Sequence, residues 1–182
     1  MRIEAYVVVS DDDKITDHTG AMPDALKNDA EWEFFQKGMD KADVTVLGRR
    51  SHAATPNHRQ RRRLVMTRSP STLPPEPNTV FWNPDVNNLE GALLGFGAGM
   101  THLAVVGGQP VFDFFLTGPN GYTAFHLSRV HGVTLPGGIG AFSAVDETGA
   151  TMENVLRKAG YTPGIRQELD KNVDVVSWIP AA

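Results

Sequence analysis

Short apolar, β-branched runs alternate along the chain with stretches of helical period. Ala5-Tyr6-Val7-Val8-Val9 has no polar alternation, as in a strand buried on both faces. Val44-Thr45-Val46-Leu47, Leu64-Val65-Met66, Thr79-Val80-Phe81-Trp82 and Leu103-Ala104-Val105-Val106 are further strand candidates. From Asn28 to Lys41 the pattern turns helical, with Trp32, Phe35 and Met39 on one face. Asn87 to Leu94 reads as a second helix, ended by Gly95, Gly97 and Gly99. Pro110 suits the first turn of a third helix over Val111 to Leu116, where its missing N–H has no partner to lose. Phe125 to Val133 reads as a long strand, and Gly164 to Leu169 with Val173 to Ile179 as an antiparallel pair. This order predicts an α/β fold: a mostly parallel central sheet, helices on both faces and an antiparallel C-terminal edge. Neither a repeat nor a linker is visible, so one domain over residues 1–182 is expected.

Composition narrows the class. A chain of 182 residues with 41% hydrophobic positions can bury roughly 70% of its unfolded surface without a staple. The absence of Cys excludes disulfides, thiolate metal sites and a cysteine nucleophile. A net charge of -4 argues against a nucleic-acid partner, and no apolar run reaches the roughly 20 residues of a membrane span. Met1-Arg2-Ile3-Glu4 shows no leader pattern, so the mature chain is expected to start there and stay in the cytoplasm.

Charge is concentrated in one place. Seven of the 17 Lys and Arg lie between Arg49 and Arg68, and no acid falls between Val44 and Pro75. Such an island is either a solvated loop or a grip for a small anion; without interleaved aromatics it is a poor nucleic-acid surface. Three strand exits stand out, and ligands of open α/β sheets sit at strand exits. They are Gly48-Arg49-Arg50-Ser51-His52, Thr67-Arg68-Ser69 and Gly107-Gly108-Gln109-Pro110. Together they point to a ligand with several phosphates. Gly95-Phe96-Gly97-Ala98-Gly99 is not a Rossmann fingerprint, because it precedes a strand and lacks the third Gly at the required spacing.

The segment Val44 to His52 resembles the strand–Gly–Arg–x–Thr segment of dihydrofolate reductases, and Leu103 to Phe112 is similar to their Gly-Gly segment. Ala21-Met22-Pro23 resembles the loop ahead of their first helix, Glu31 to Gln36 the helix carrying their pocket acid, and Phe125 to Val130 the strand that closes the pocket. Ser128-Arg129-Val130 and Leu135 to Ile139 are more similar to a sister family, the reductase domain of bacterial riboflavin biosynthesis and its small stand-alone relatives.

The resemblance implies a dihydrofolate reductase-like three-layer fold and an NADPH-dependent reductase. Its hydride would go to a small heterocyclic substrate, either a pterin or a ribosylaminopyrimidine. Gly48, Arg49, Arg50 and Ser51 would hold the pyrophosphate side of NADPH, and Thr67, Arg68 and Ser69 its 2′-phosphate. Val106, Gly107, Gly108, Gln109, Pro110 and Val111 would lie along the nicotinamide and pyrophosphate, with Gly107-Gly108 as a candidate cis peptide. Glu31 would be the catalytic acid. Val8, Met22, Phe35, Arg61 and Ser128 would line the substrate site with it. Stand-alone members of the sister family tend to pair, so a homodimer is expected.

Two departures weigh on the substrate. Asp24 stands where many dihydrofolate reductases carry a bulky aromatic after Met-Pro, and His52 stands where they often have an aromatic. The acidic run Asp11-Asp12-Asp13 falls in the loop that would cover the nicotinamide. The alternative to a reductase is a non-catalytic or divergent nucleotide-binding protein that retains the fold. Phe112, Phe114, Phe115, Trp82 and Trp178 are expected in the core, and no role is assigned to His18, His58, His102, His126 or His131.

Overall fold

The computed structural model describes residues 1–181. β1 (Arg2–Val9) leads through the short β2 (Lys14–Thr16) and a 3-10 turn to α1 (Asp29–Lys41). Next come β3 (Val44–Gly48), α2 (Arg49–Ala54), β4 (Arg63–Met66), β5 (Thr79–Trp82) and α3 (Leu89–Leu93). The second half runs β6 (His102–Val105), α4 (Gln109–Thr117), β7 (Ala124–Val130) and β8 (Ile139–Gly140). It closes with α5 (Ser143–Thr148), α6 (Met152–Lys158), β9 (Tyr161–Asp170) and β10 (Val173–Pro180).

Eight strands form one sheet in the order β5-β4-β3-β6-β1-β7-β10-β9. The six from β5 to β7 are parallel, and β10 is antiparallel to both of its neighbours. The continuous apolar runs of β1, β3 and β6 belong to strands covered on both faces. Ile3, Ala5, Val7 and Val9 point to the face occupied by α3, α4, α5 and α6, where Phe112, Phe115, Phe125, Phe142 and Trp178 fill the main core. Tyr6 points the other way, toward α1, with Met39 and Ala104. The core aromatics fall where expected, although Phe114 is only half-buried.

α1 begins at an N-cap, Asn28, whose side chain accepts from the Ala30 and Glu31 N–H groups. Its buried stripe differs from the one the sequence predicts. Trp32 is 56% exposed, and Glu31, Gly38 and Met39 are buried. Gly38 sets this orientation: a Cβ there would lie 2.4 Å from the Tyr6 ring, so the helix settles on the sheet along the Glu31–Gly38 line. The helices α2, α5 and α6, and the small β2–β8 pair, carry too few periodic positions to stand out in the sequence.

Candidate active site

Pairing of Gly48 with Met66, and of Val46 with both Leu64 and Val105, places the ends of β3, β4 and β6 side by side. The three phosphate-type exits therefore share one edge of the sheet. Gly48 N–H donates to the Gly107 carbonyl at 2.8 Å, tying two of them directly. The Gly107-Gly108 peptide is cis. Gly107 has φ +93, and a Cβ on it would sit 2.5 Å from the Phe112 ring, so only glycine fits. Gly108 is different: a Cβ there would have no neighbour within 4 Å, so its backbone faces open space.

Arg49 and Arg50 open α2, and Thr67, Arg68 and Ser69 follow β4. Arg49, Arg50, Arg68 and Ser69 are exposed, and Ser51 and Thr67 half-buried. Among the described residues none of these three arginines has an acidic partner within salt-bridge distance. The Arg68 carbonyl accepts from the Asn83 side chain at 3.1 Å, and Thr67 N–H donates to the Trp82 carbonyl, so the backbone of this exit is fixed. Val111 is buried, and a Cβ on Gly48 would meet its side chain at 3.4 Å. Pro110 lies in the first turn of α4. The Gln109 side chain points away from the arginines, donating to Gly140 and Asp146. Its contribution at this edge is the backbone only.

Glu31 sits on the first turn of α1, 6% exposed, near β7, the third strand from β3 in the sheet. Val8 pairs with Ser128 across β1 and β7, which turns both side chains to the α1 face. The Ser128 hydroxyl, 1% exposed, faces the Glu31 carboxyl and favours its charged form. Burial pushes the Glu31 pKa up to about 7, with the neighbouring Ser128 hydroxyl pulling against it. Phe35 packs beside Tyr6 and Met39 one turn on, and Trp32 stacks on it at 5.4 Å. Met22 is exposed in the loop leading to α1, and Asp24 is exposed and paired with Lys27.

Arg61 lies apart from this group. It precedes β4, at the opposite edge of the sheet from Gly48, and its guanidinium is held by Gln36 and Asp40 on the later turns of α1. The structure therefore brings Glu31, Ser128 and Val8 to one face of the sheet, sets Phe35 one turn further along α1, and leaves Arg61 bound to helix side chains.

Two networks escaped the sequence. Arg129, at the end of β7, donates to the Ser10 carbonyl, Asp13 and Glu153. Asp12 accepts from Leu135 N–H, and Asp11 from Gly132 N–H. The acidic run is thus an ionic clasp on its own loop. Its one visible signal was an Arg in the strand Phe125 to Val130. Under α1, buried Glu4 accepts from Arg2, Tyr6 and His102, and Tyr6 stacks on His126 at 4.6 Å. Burial beside Glu4 holds the Tyr6 hydroxyl in its protonated form.

The same architecture occurs in solved structures. A diaminohydroxyphosphoribosylaminopyrimidine deaminase/5-amino-6-(5-phosphoribosylamino)uracil reductase from Thermotoga maritima superposes with TM-score 0.70 at 12% identity, over 99% of this chain and 56% of that one. RibD of Acinetobacter baumannii gives 0.71 at 12%, over 99% and 58%. This chain has the RibD-type fold. A putative riboflavin biosynthesis protein from Shewanella sp. PV-4 matches over the full length of both chains, with TM-score 0.69 and 14% identity. The chain spans just over half the length of the Thermotoga and Acinetobacter proteins. Its sequence matches no family model and no curated protein. No helix among the described residues is long and apolar enough to cross a membrane.

Proposed function

We propose that this RibD-type chain is an NADPH-dependent reductase of a nitrogen heterocycle, with a ribosylaminopyrimidine favoured over a pterin. One observation carries the reading: a buried acid with a pKa near 7 lies on the same edge of the sheet as an open glycine lip and three unpaired arginines. The residues fit the cofactor. Gly108 leaves room for a ligand against bare backbone, and Arg49, Arg50 and Arg68 lie in a segment, Val44 to Pro75, with no acid to compete for them. When bound, NADPH supplies a hydride.

This chain's own residues would do the rest. Arg49, Arg50 and Ser51 would bind the pyrophosphate, and Thr67, Arg68 and Ser69 the 2′-phosphate. With burial raising its pKa to about 7, the Glu31 carboxyl would donate a hydrogen bond or a proton to a ring nitrogen. Ser128 orients that carboxyl. Phe35 and Val8 would give the heterocycle an apolar wall. The aminouracil reductase activity of the Thermotoga protein supports the pyrimidine, as does the exposed Asp24 in place of an apolar contact.

The test is a titration with NADPH and NADH followed by tryptophan fluorescence, with exposed Trp32 as a reporter, and then turnover with both heterocycles. Preference for NADPH, and its oxidation on adding the ribosylaminopyrimidine, is the expected result. Binding without oxidation of any heterocycle would leave a nucleotide-binding protein that keeps the fold. Failure to bind either nucleotide would overturn the reading.

A further inference from the structure

Arg63, the first residue of β4, is 8% exposed, yet among the described residues no carboxylate lies within salt-bridge distance of it. Its Nη1 donates to the Thr55 carbonyl at 2.7 Å and to His52 Nδ1 at 3.2 Å, which uses both of its N–H groups. A guanidinium cannot accept, so His52 Nδ1 is the acceptor and the ring proton sits on Nε2. That Nε2 donates to Glu76 at 3.0 Å, so Glu76 is committed to the histidine. The other edge of the guanidinium, Nε and Nη2, has no acceptor among the described residues. A buried cation without a counter-ion is costly, and a carboxylate closes such an edge with two parallel hydrogen bonds.

Arg63 lines a cavity of about 390 Å³ that also takes in Arg49, His52 and Glu76. Ala53, Leu73 and Phe81 give it apolar walls, and Phe81 is fixed by a T-shaped contact with His52 at 5.7 Å. With His52 neutral, Arg49 and Arg63 against Glu76 leave the cavity one net positive charge. Its volume is at the small end of ligand sites, room for one or two fused rings but not for a dinucleotide. Strand register sets it apart from the phosphate-type exits. Arg63 pairs with Thr45 and Thr79, whereas Gly48 pairs with Met66, about 10 Å further along the strands.

We propose that this cavity binds a small aromatic carboxylate, a second ligand distinct from both the cofactor and the reduced heterocycle. Its carboxylate takes the Nε and Nη2 edge of Arg63, and its ring lies against Phe81 and Leu73. One negative charge matches the single excess positive charge. A neutral ring would leave Arg63 unpaired, and a bare phosphate would leave the apolar walls uncovered. Arg49 also belongs to the proposed grip on the cofactor pyrophosphate, so each ligand should weaken the other modestly. That coupling alone rests on the cofactor reading; the site itself does not.

The test is a titration of the free protein with 2-naphthoate, 2-naphthamide and inorganic phosphate, followed by amide NMR shifts. 2-Naphthoate should bind with Kd about 1 mM or tighter, moving the Ala53, Leu73 and Phe81 signals. The amide and phosphate should bind about tenfold more weakly or worse. Glu76→Gln should tighten naphthoate binding several-fold, because it removes a negative charge and keeps an acceptor for His52. Ala53→Phe fills the cavity from an exposed position and should abolish binding, and Arg63→Gln should weaken it about tenfold or more. If Arg63→Gln unfolds, the other two variants decide. Saturating NADPH should weaken naphthoate less than about tenfold, and naphthoate binding by a protein that ignores NADPH would keep this site while the reductase reading fell. Absence of binding, equal affinity for acid and amide, indifference to Ala53→Phe or Glu76→Gln, or complete displacement by NADPH would overturn the proposal.

Discussion

The Ser128 hydroxyl, on β7, faces the Glu31 carboxyl, on the first turn of α1. Both side chains are buried, and among the described residues no cation pairs with the carboxyl. A lone carboxyl among apolar neighbours keeps its proton to higher pH, because ionisation would cost it hydration. Its protonation therefore links stability and turnover.

Glu31→Gln keeps the shape and removes the titration. It should leave NADPH affinity unchanged and lower turnover about 10²- to 10⁴-fold, the usual weight of a general acid. Steady-state kinetics beside a binding titration check this. Unchanged turnover would place the acid elsewhere.

Stability should fall as pH rises from about 4.5 through about 7, because the native state holds a proton there that the unfolded chain releases. The full effect of a shift this size is about 3 kcal/mol at pH 8. Glu31→Gln should recover most of it, raising the melting temperature at pH 8 but not at pH 4. Turnover should decline above pH 7. Ser128→Ala removes the hydroxyl that favours the charged carboxyl, so the midpoint of that decline should move to higher pH.

Arg68→Ala should weaken NADPH binding about 10- to 100-fold, as for loss of a charged hydrogen bond, and NADH binding far less. Equal losses for both cofactors, measured by fluorescence titration, would contradict the 2′-phosphate role.

Gly107 and Gly108 should respond oppositely to alanine. Gly107→Ala drives a Cβ into the Phe112 ring at a positive φ and should cost several kcal/mol in chemical denaturation. Gly108→Ala meets nothing within 4 Å, so stability should hold while NADPH affinity drops.

Arg129→Met should destabilise the protein by about 3–5 kcal/mol, since it leaves the buried Asp13 carboxylate without its cation. Denaturant unfolding reads this directly, and a loss under 1 kcal/mol would reduce the clasp to a surface ion pair.

The sequence alone determined the eight strands of the central sheet and the places of α1, α3 and α4 among them, because apolar β-branched runs such as Val44 to Leu47 mark a strand covered on both faces wherever they occur. It also carried the glycine and arginine exits, since their chemistry lies in consecutive residues. What it could not determine was how helix α1 rolls on the sheet. Periodicity put Trp32 inward, but contact of Gly38 with Tyr6 turns Glu31 inward and leaves Trp32 in solvent. Only that tertiary contact buries the carboxyl and raises its pKa. Likewise, Arg61 sits in the basic island by sequence, yet the fold carries it to the far edge, where Asp40 and Gln36 hold it. Local pattern specifies the elements, and long-range packing decides which side chains meet and how strongly water is excluded from them.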